Sequence, residues 1–141
     1  MTAAALTHAL RGEFPHLFAP DVDDSAFVIE DARYGGARVR RRYHDTALRP
    51  GGTLSGATMM ELADVAMYVA VLASIGWVPL AVTTNLNINF LRKPGQRDLL
   101  ADVRLIKLGK RLAVGDIGMR SEGQEDLVAH ATATYAIPQQ V

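Results

Sequence analysis

Residues 49–76, RPGGTLSGATMMELADVAMYVAVLASIG, decide how this chain is built. A Pro-Gly-Gly turn leads into a Thr-Leu-Ser-Gly neck, and the long apolar segment that follows carries only two charges, Glu61 and Asp64. Alanine, leucine and methionine favour helix, Ser55 is of the type that caps a helix start, and Gly76 and Pro79 stand where a helix should stop. The pattern predicts a central helix over residues 56–75, apolar almost all round, which has to be covered on nearly every side. Its length approaches that of a membrane span. Glu61 and Asp64 would then be buried in lipid at a cost of a few kcal/mol each, and the flanks lack aromatic or basic anchors. A buried helix in a soluble protein is expected, with no membrane partner.

At about 100° per residue, Ala63, Ala66, Ala70 and Ala73 form one narrow stripe on this helix, suited to close approach to a curved sheet. Glu61, Asp64, Val65, Tyr68 and Leu72 lie roughly opposite, so both carboxylates share one side. Asp64 sits two turns in, where the helix dipole helps little. A buried acid there either bonds a neighbouring hydroxyl or arginine as a structural group, or belongs to an active site. Glu61 reads as a helix-start charge or an ion-pair partner. At the neck, the free amides near Gly56 can polarise a carbonyl and hold the oxyanion it becomes; capping alone accounts for Ser55.

The rest of the chain supplies a sheet. Residues 3–11 read as a short helix ended near Gly12 and Pro15, and residues 20–25 as an acidic linker. AFVIE (26–30) and ARVRRRY (37–43) read as strands around a Gly35-Gly36 turn. The arginines at 38, 40, 41 and 42 fit a solvated or guarded strand face, with an anionic ligand as the other reading. VTTNLNINF (82–90) alternates, placing Val82, Thr84, Leu86, Ile88 and Phe90 on one face and Thr83, Asn85, Asn87 and Asn89 on the other. Asparagine is a poor strand former, so the second face is either solvated or meets a ligand or partner subunit. Strands over 99–108, 112–120 and 127–137 follow, joined by the KLGKR hairpin (107–111) and the SEGQED loop (121–126). One long helix followed by a run of antiparallel strands is an α+β arrangement, the sheet laid over the helix. The helix side left bare calls for a second molecule or for the N-terminal segment, and dimerisation is the preferred solution.

Composition narrows the chemistry. The 141 residues point to one domain over 1–141, with residues 1–25 as N-terminal helix and linker and 26–138 as the core. Lys+Arg and Asp+Glu are both 15, so no nucleic-acid partner is expected. There is no cysteine, which excludes a thiolate nucleophile and cysteine-ligated zinc and fits a reducing, cytoplasmic setting. No signal peptide is evident at the N-terminus. His8, His16, His44 and His130 lack metal-ligand spacing, and neither a P-loop nor a dinucleotide fingerprint occurs, so no metal or cofactor is expected.

The stretch RPGGTLSGATMMELADVAMYVAVLASIG, followed by AVTTNLNINFLRKP and KLGKRLAVGDI, resembles the hot-dog-fold acyl-CoA thioesterases of the phenylacetate-pathway (PaaI) type, over roughly residues 43–137. The resemblance implies an antiparallel sheet wrapped around the central helix, assembly into dimers and often tetramers, and hydrolysis of an acyl-CoA thioester. It also implies roles. Gly56 matches the glycine whose N–H polarises the thioester carbonyl, Asp64 the helix carboxylate acting as general base or nucleophile, and Thr83 a hydroxyl that orients the attacking water. Ser55 stands where the family usually has His, and Arg49-Pro50 where it usually has Asn near the start of the neck. With Asn85, these positions are expected to face substrate. Arg92, Lys93 and Arg97, or Lys107, Lys110 and Arg111, are candidates for the CoA phosphates, with solubilising turn charges as the plain alternative. A non-catalytic acyl-CoA or small-ligand binder, and a hot-dog hydratase or dehydratase, are the rival readings.

Spacing adds a constraint. Gly56 and Asp64 are eight residues apart on one helix, hence ~12 Å along its axis, whereas a general base works within ~3 Å or one water of its target. One chain's pair cannot serve one thioester. Antiparallel helices across a two-fold axis would bring Gly56 of one subunit to Asp64 of another, so an isologous dimer would hold two shared sites.

Overall fold

A computed structural model of the chain describes residues 1–18, 25–43, 48–49 and 53–139, with backbone alone at 48, 49 and 53. The central helix, α2 (Gly56–Ile75), forms where the sequence places it. Ser55 is its N-cap, its hydroxyl accepting the Thr58 N–H at 3.1 Å, and the helix stops at Gly76 (φ 92°), whose N–H reaches Leu72 O. Before it come α1 (Ala3–Glu13), β1 (Phe27–Arg33), β2 (Gly36–Arg41), and a two-stranded ribbon of β3 (Leu48–Arg49) and β4 (Thr53–Leu54). After it come β5 (Val82–Phe90), β6 (Leu99–Leu108), β7 (Leu112–Ser121) and β8 (Leu127–Ala136). The ribbon was not expected from the sequence, where its residues read as turn and neck.

Six strands form one antiparallel sheet in the order β1-β2-β6-β7-β8-β5 and curve over α2. This is the hot-dog arrangement. Small residues let helix and sheet close up: Ala63, Ala66 and Ala70 on the helix and Ala129, Ala131 and Ala133 on β8 are all fully buried. Gly115 on β7 lies beneath Met67, where any side chain would collide with the methionine sulfur. Larger groups fill the remaining volume, and Leu62, Met67, Val69, Leu72, Ile117 and Met119 are completely enclosed. Each such aliphatic side chain contributes roughly 1.5–3 kcal/mol by leaving water.

Two expectations need correction here. Leu72 was expected beside Asp64 on the open side of the helix, and it is fully buried. The N-terminal segment lies along that side: the Met1 amino group donates to Ala73 O at 3.0 Å, and Leu6 and Leu10 are buried. Part of the cover therefore comes from within the chain. Thr83 was expected on the asparagine face of β5, but a register shift between Thr83 and Asn85 breaks the alternation. Thr83 pairs with Tyr135, and Leu86 and Ile88 pair with buried Ala133 and Ala131, so all three face the helix. Asn85, Asn87 and Asn89 pair with Thr134, Thr132 and His130 on the outer face.

That outer face also carries Arg38 and Arg40. Arg41, expected on the same guarded face, instead pairs with buried Phe27 and turns to the helix side, its guanidinium 5.4 Å over that ring, because neighbouring residues of a strand point to opposite faces. The charges on the outer face find partners. Arg38 reaches Asp102 at 2.6 Å, and Arg40 pairs with Glu30, Asp98 and Glu122 at 2.7, 3.1 and 3.0 Å. The hydrogen bond to Asp102 raises the pKa of Arg38. Burial works against the charge of Arg40, and its hydrogen bonds to Glu30 and Asp98 outweigh it, raising the pKa overall. The guarded-face reading suits Arg38 and Arg40 better than an anion site.

Candidate active site

Asp64 is brought to the bottom of a cleft of about 370 Å³ between α2, the start of β5, the end of β8 and the N-terminal segment. Its apolar walls include Leu10, Phe14, Leu17, Val65 and Tyr68. Thr83 Oγ1 donates to Asp64 Oδ1 at 2.5 Å, and Tyr135 Oη lies 2.9 Å from the same oxygen and 3.1 Å from the Asp64 main-chain O. Oδ2 has no hydrogen-bond partner among the described residues, and it is not shut off from solvent. A half-buried carboxylate with one oxygen held and one free, against an apolar chamber, can take a proton from a water beside an acyl group.

Tyr135 was missed from sequence. It closes the buried face of β8, in line with Ala129, Ala131 and Ala133. A single hydroxyl at the end of an alanine row is a usable signal, because a buried phenol needs a partner. Here burial pushes the Tyr135 phenol well above its ordinary range, with the charge of Asp64 adding to the effect. Glu61 lines the cleft from the mouth side, 3.8 Å from Arg41 Nε, in keeping with an ion-pair role.

Gly56 lies elsewhere. It opens a second depression, of about 520 Å³, with Leu54, Met59, Phe90, Leu91, Arg92, Lys93 and Pro94. As the first residue of α2, it has an N–H outside the helix's own ladder. A Cβ at this position would come 3.1 Å from the Phe90 ring, so the glycine gives room in front of that amide. Ser55 Oγ is occupied as the cap and also bonds Thr58 Oγ1 at 2.9 Å. Arg92 and Lys93 are thus grouped with Gly56, and Arg92 has one long contact, 3.7 Å, to exposed Asp126. Arg97 turns instead to Glu122 O. Lys107, Lys110 and Arg111 lie at the β6–β7 hairpin, beyond the Val82 end of β5, since Leu112 and Val82 both pair with Ala136. Asn85 is separated from the cleft by the sheet, and the Arg49 side chain lies outside the described residues. One chain therefore carries the acid and the amide in different depressions. Among the described residues no group of three or more acidic or histidine side chains could hold a metal.

The family model of the thioesterase superfamily matches residues 51–128, the neck, the central helix and most of the sheet. The chain belongs to the thioesterase superfamily. A candidate esterase of Saccharolobus solfataricus is 32% identical over 109 residues, covering 77% of this chain and 71% of that protein. The solved structure of a candidate thioesterase from Silicibacter sp. TM1040 is 45% identical, covers 97% of this chain and 92% of its own, and superposes with a TM-score of 0.85. The PaaI protein of Escherichia coli, from the phenylacetic acid degradation operon, shares the fold at a TM-score of 0.78 and 21% identity, over 97% of this chain and 91% of its own. Membership of this superfamily points to ester or thioester hydrolysis as the class of activity. The helix of residues 56–75 is long and apolar enough to cross a membrane, yet most of it is enclosed by this superfamily's sheet and the N-terminal segment.

Proposed function

We propose that this protein is an acyl-CoA thioesterase whose site is completed by a second copy of the chain. The observation that carries the reading is the hydrogen-bonded Asp64 at the base of an apolar cleft, with Oδ2 unpartnered. Asp64 accepts a proton from water, and the water oxygen attacks the thioester carbonyl carbon. The carbonyl electron pair moves to oxygen, where the Gly56 N–H of the other subunit stabilises it. Collapse of this intermediate breaks the C–S bond, and the departing CoA thiolate takes back the proton. Thr83 holds the base.

The edge of the sheet supports the sharing. β5 is a terminal strand of nine residues with Val82, Phe90 and the adjoining Leu91 at 57%, 50% and 55% exposure. So long an exposed edge, with apolar side chains at both ends, invites another strand. Phe90 stands beside Gly56 at one end of β5, and Thr83 beside Asp64 at the other. An antiparallel, two-fold pairing of β5 with its copy would lay each Phe90 end against the other's Thr83 end. That unites the two depressions. It also draws Arg92 and Lys93 of one subunit toward Lys110 and Arg111 of the other, a cationic mouth fit for the phosphates of CoA. The polar outer strip of Asn85, Asn87 and Asn89 is surface available for pairing dimers into a tetramer. An acyl-CoA substrate suits a cytoplasmic protein of one hot-dog domain.

The test is thiol release from short-chain, long-chain and aryl acyl-CoAs by the wild-type protein and by Asp64→Asn. We expect steady release from at least one class, and a fall in kcat of about 10²–10⁴-fold in the variant with the oligomer intact. Affinity for acyl-CoA without thiol release would identify a binding protein instead.

A further inference from the structure

Two strands converge on one oxygen of Asp64. Thr83 and Tyr135 are cross-strand neighbours on β5 and β8, and the register shift after Thr83 turns its hydroxyl toward the same side as the phenol. Thr83 Oγ1 donates to Oδ1 at 2.5 Å and Tyr135 Oη at 2.9 Å. The phenol is also 3.1 Å from the main-chain O of Asp64, so its hydrogen is shared between the side chain and the backbone of a single residue. This ties the carboxylate to its own helix turn and fixes its rotamer. The tyrosine is itself immobilised: it is 3% exposed and its ring packs on Tyr68 with centroids 6.0 Å apart.

We propose that Tyr135 is a positioning residue for Asp64, its hydroxyl joining that of Thr83 to dedicate Oδ1 to anchorage and leave Oδ2 as the working oxygen. The inference rests on the reading of Asp64 as the base. It assigns Tyr135 no contact with substrate carbonyl or water. A carboxylate free to rotate would present either oxygen, or neither, along the line of attack, and a fixed one is ready before substrate arrives. Because burial holds the phenol protonated far into the alkaline range, the donor is present at every pH at which the protein would work.

Tyr135→Phe removes the hydroxyl and keeps the ring packing. We expect kcat to fall about tenfold or more, as for loss of a hydrogen bond to a charged group, while KM stays within about twofold. Thr83→Val should lower kcat to a similar degree, and the losses in the double variant should not simply multiply, since both donors act through the same Oδ1. In an Asp64→Asn background, Tyr135→Phe should change the residual rate by less than about twofold, because the residue acts only through the carboxylate. Wild-type kcat in Tyr135→Phe, a rise in KM alone, or an equal fold loss in the Asp64→Asn background would each overturn the proposal. If Asp64→Asn itself turns over like wild type, it is the functional reading that fails.

Discussion

The two depressions along α2 have opposite character. At the helix start, Gly56 offers a bare amide with Arg92 and Lys93 beside it, so this end presents donors and positive charge. Two turns on, Asp64 offers an acceptor, anchored by hydroxyls and faced by Leu10, Phe14, Leu17 and Val65. On the proposed reading, the first would take the oxygen and phosphates of a CoA thioester, the second a water and an apolar acyl group, and neither alone would complete the site. The contrast follows from helix geometry, since the free amides exist only in the first turn and a side chain eight residues on is out of their reach. If both groups serve one reaction, as proposed, a helix that separates them this far has to be used in pairs.

This contrast can be broken end by end. The largest effect expected at the helix start is from Gly56→Pro. Proline is tolerated at the first helical position, and Ser55 already has the extended backbone (φ −74°, ψ 154°) that a following proline requires. The substitution deletes the N–H, and kcat should fall about 10²–10³-fold with α2 intact by circular dichroism. Gly56→Ala keeps the amide and adds only the 3.1 Å contact with Phe90. It should therefore be the milder variant in the same assay; equal loss in both would assign the effect to crowding. Smaller is the effect expected of Arg92→Ala with Lys93→Ala. If these cations meet CoA phosphates, KM should rise about tenfold at low salt with kcat nearly unchanged, and added salt should shrink the difference. A kcat loss without a KM change would remove them from the phosphate site and leave them as turn charges.

Legibility in sequence followed the range of each interaction. The central helix could be read to within a residue, because its cap, its apolar content and its stop are all local. So could β5 and β6, whose alternation or apolar run is bounded by Gly and Pro turns. Asp64 stood out as an acid in an apolar helix, and Gly56 as a glycine at a helix start. What escaped was set by contacts across the sheet. Tyr135 is 71 positions from Asp64, and no local pattern links a strand's last hydroxyl to a helix that far back. Thr83 was named for its role yet assigned to the wrong face, since one shifted residue reverses the side chains beyond it and nothing in VTTNLNINF marks the shift. Arg38 and Arg40 of β2 were legible as a guarded face, but not their pairing with Asp102 and with Glu30, Asp98 and Glu122, nor the turn of Arg41 to the helix side.

The central claim is that one subunit's acid works with another's amide. Subunit mixing tests it most directly. Asp64→Asn and Gly56→Pro are each nearly inactive on this account, and in a hybrid dimer both lesions fall in one site while the other site is untouched. Co-expression, or unfolding and refolding of an equal mixture, should restore about a quarter of wild-type turnover, half of the dimers being hybrids with one good site each. Activity of the mixture no greater than the mean of the two variants would contradict it, because a site built within one chain cannot be repaired by its neighbour.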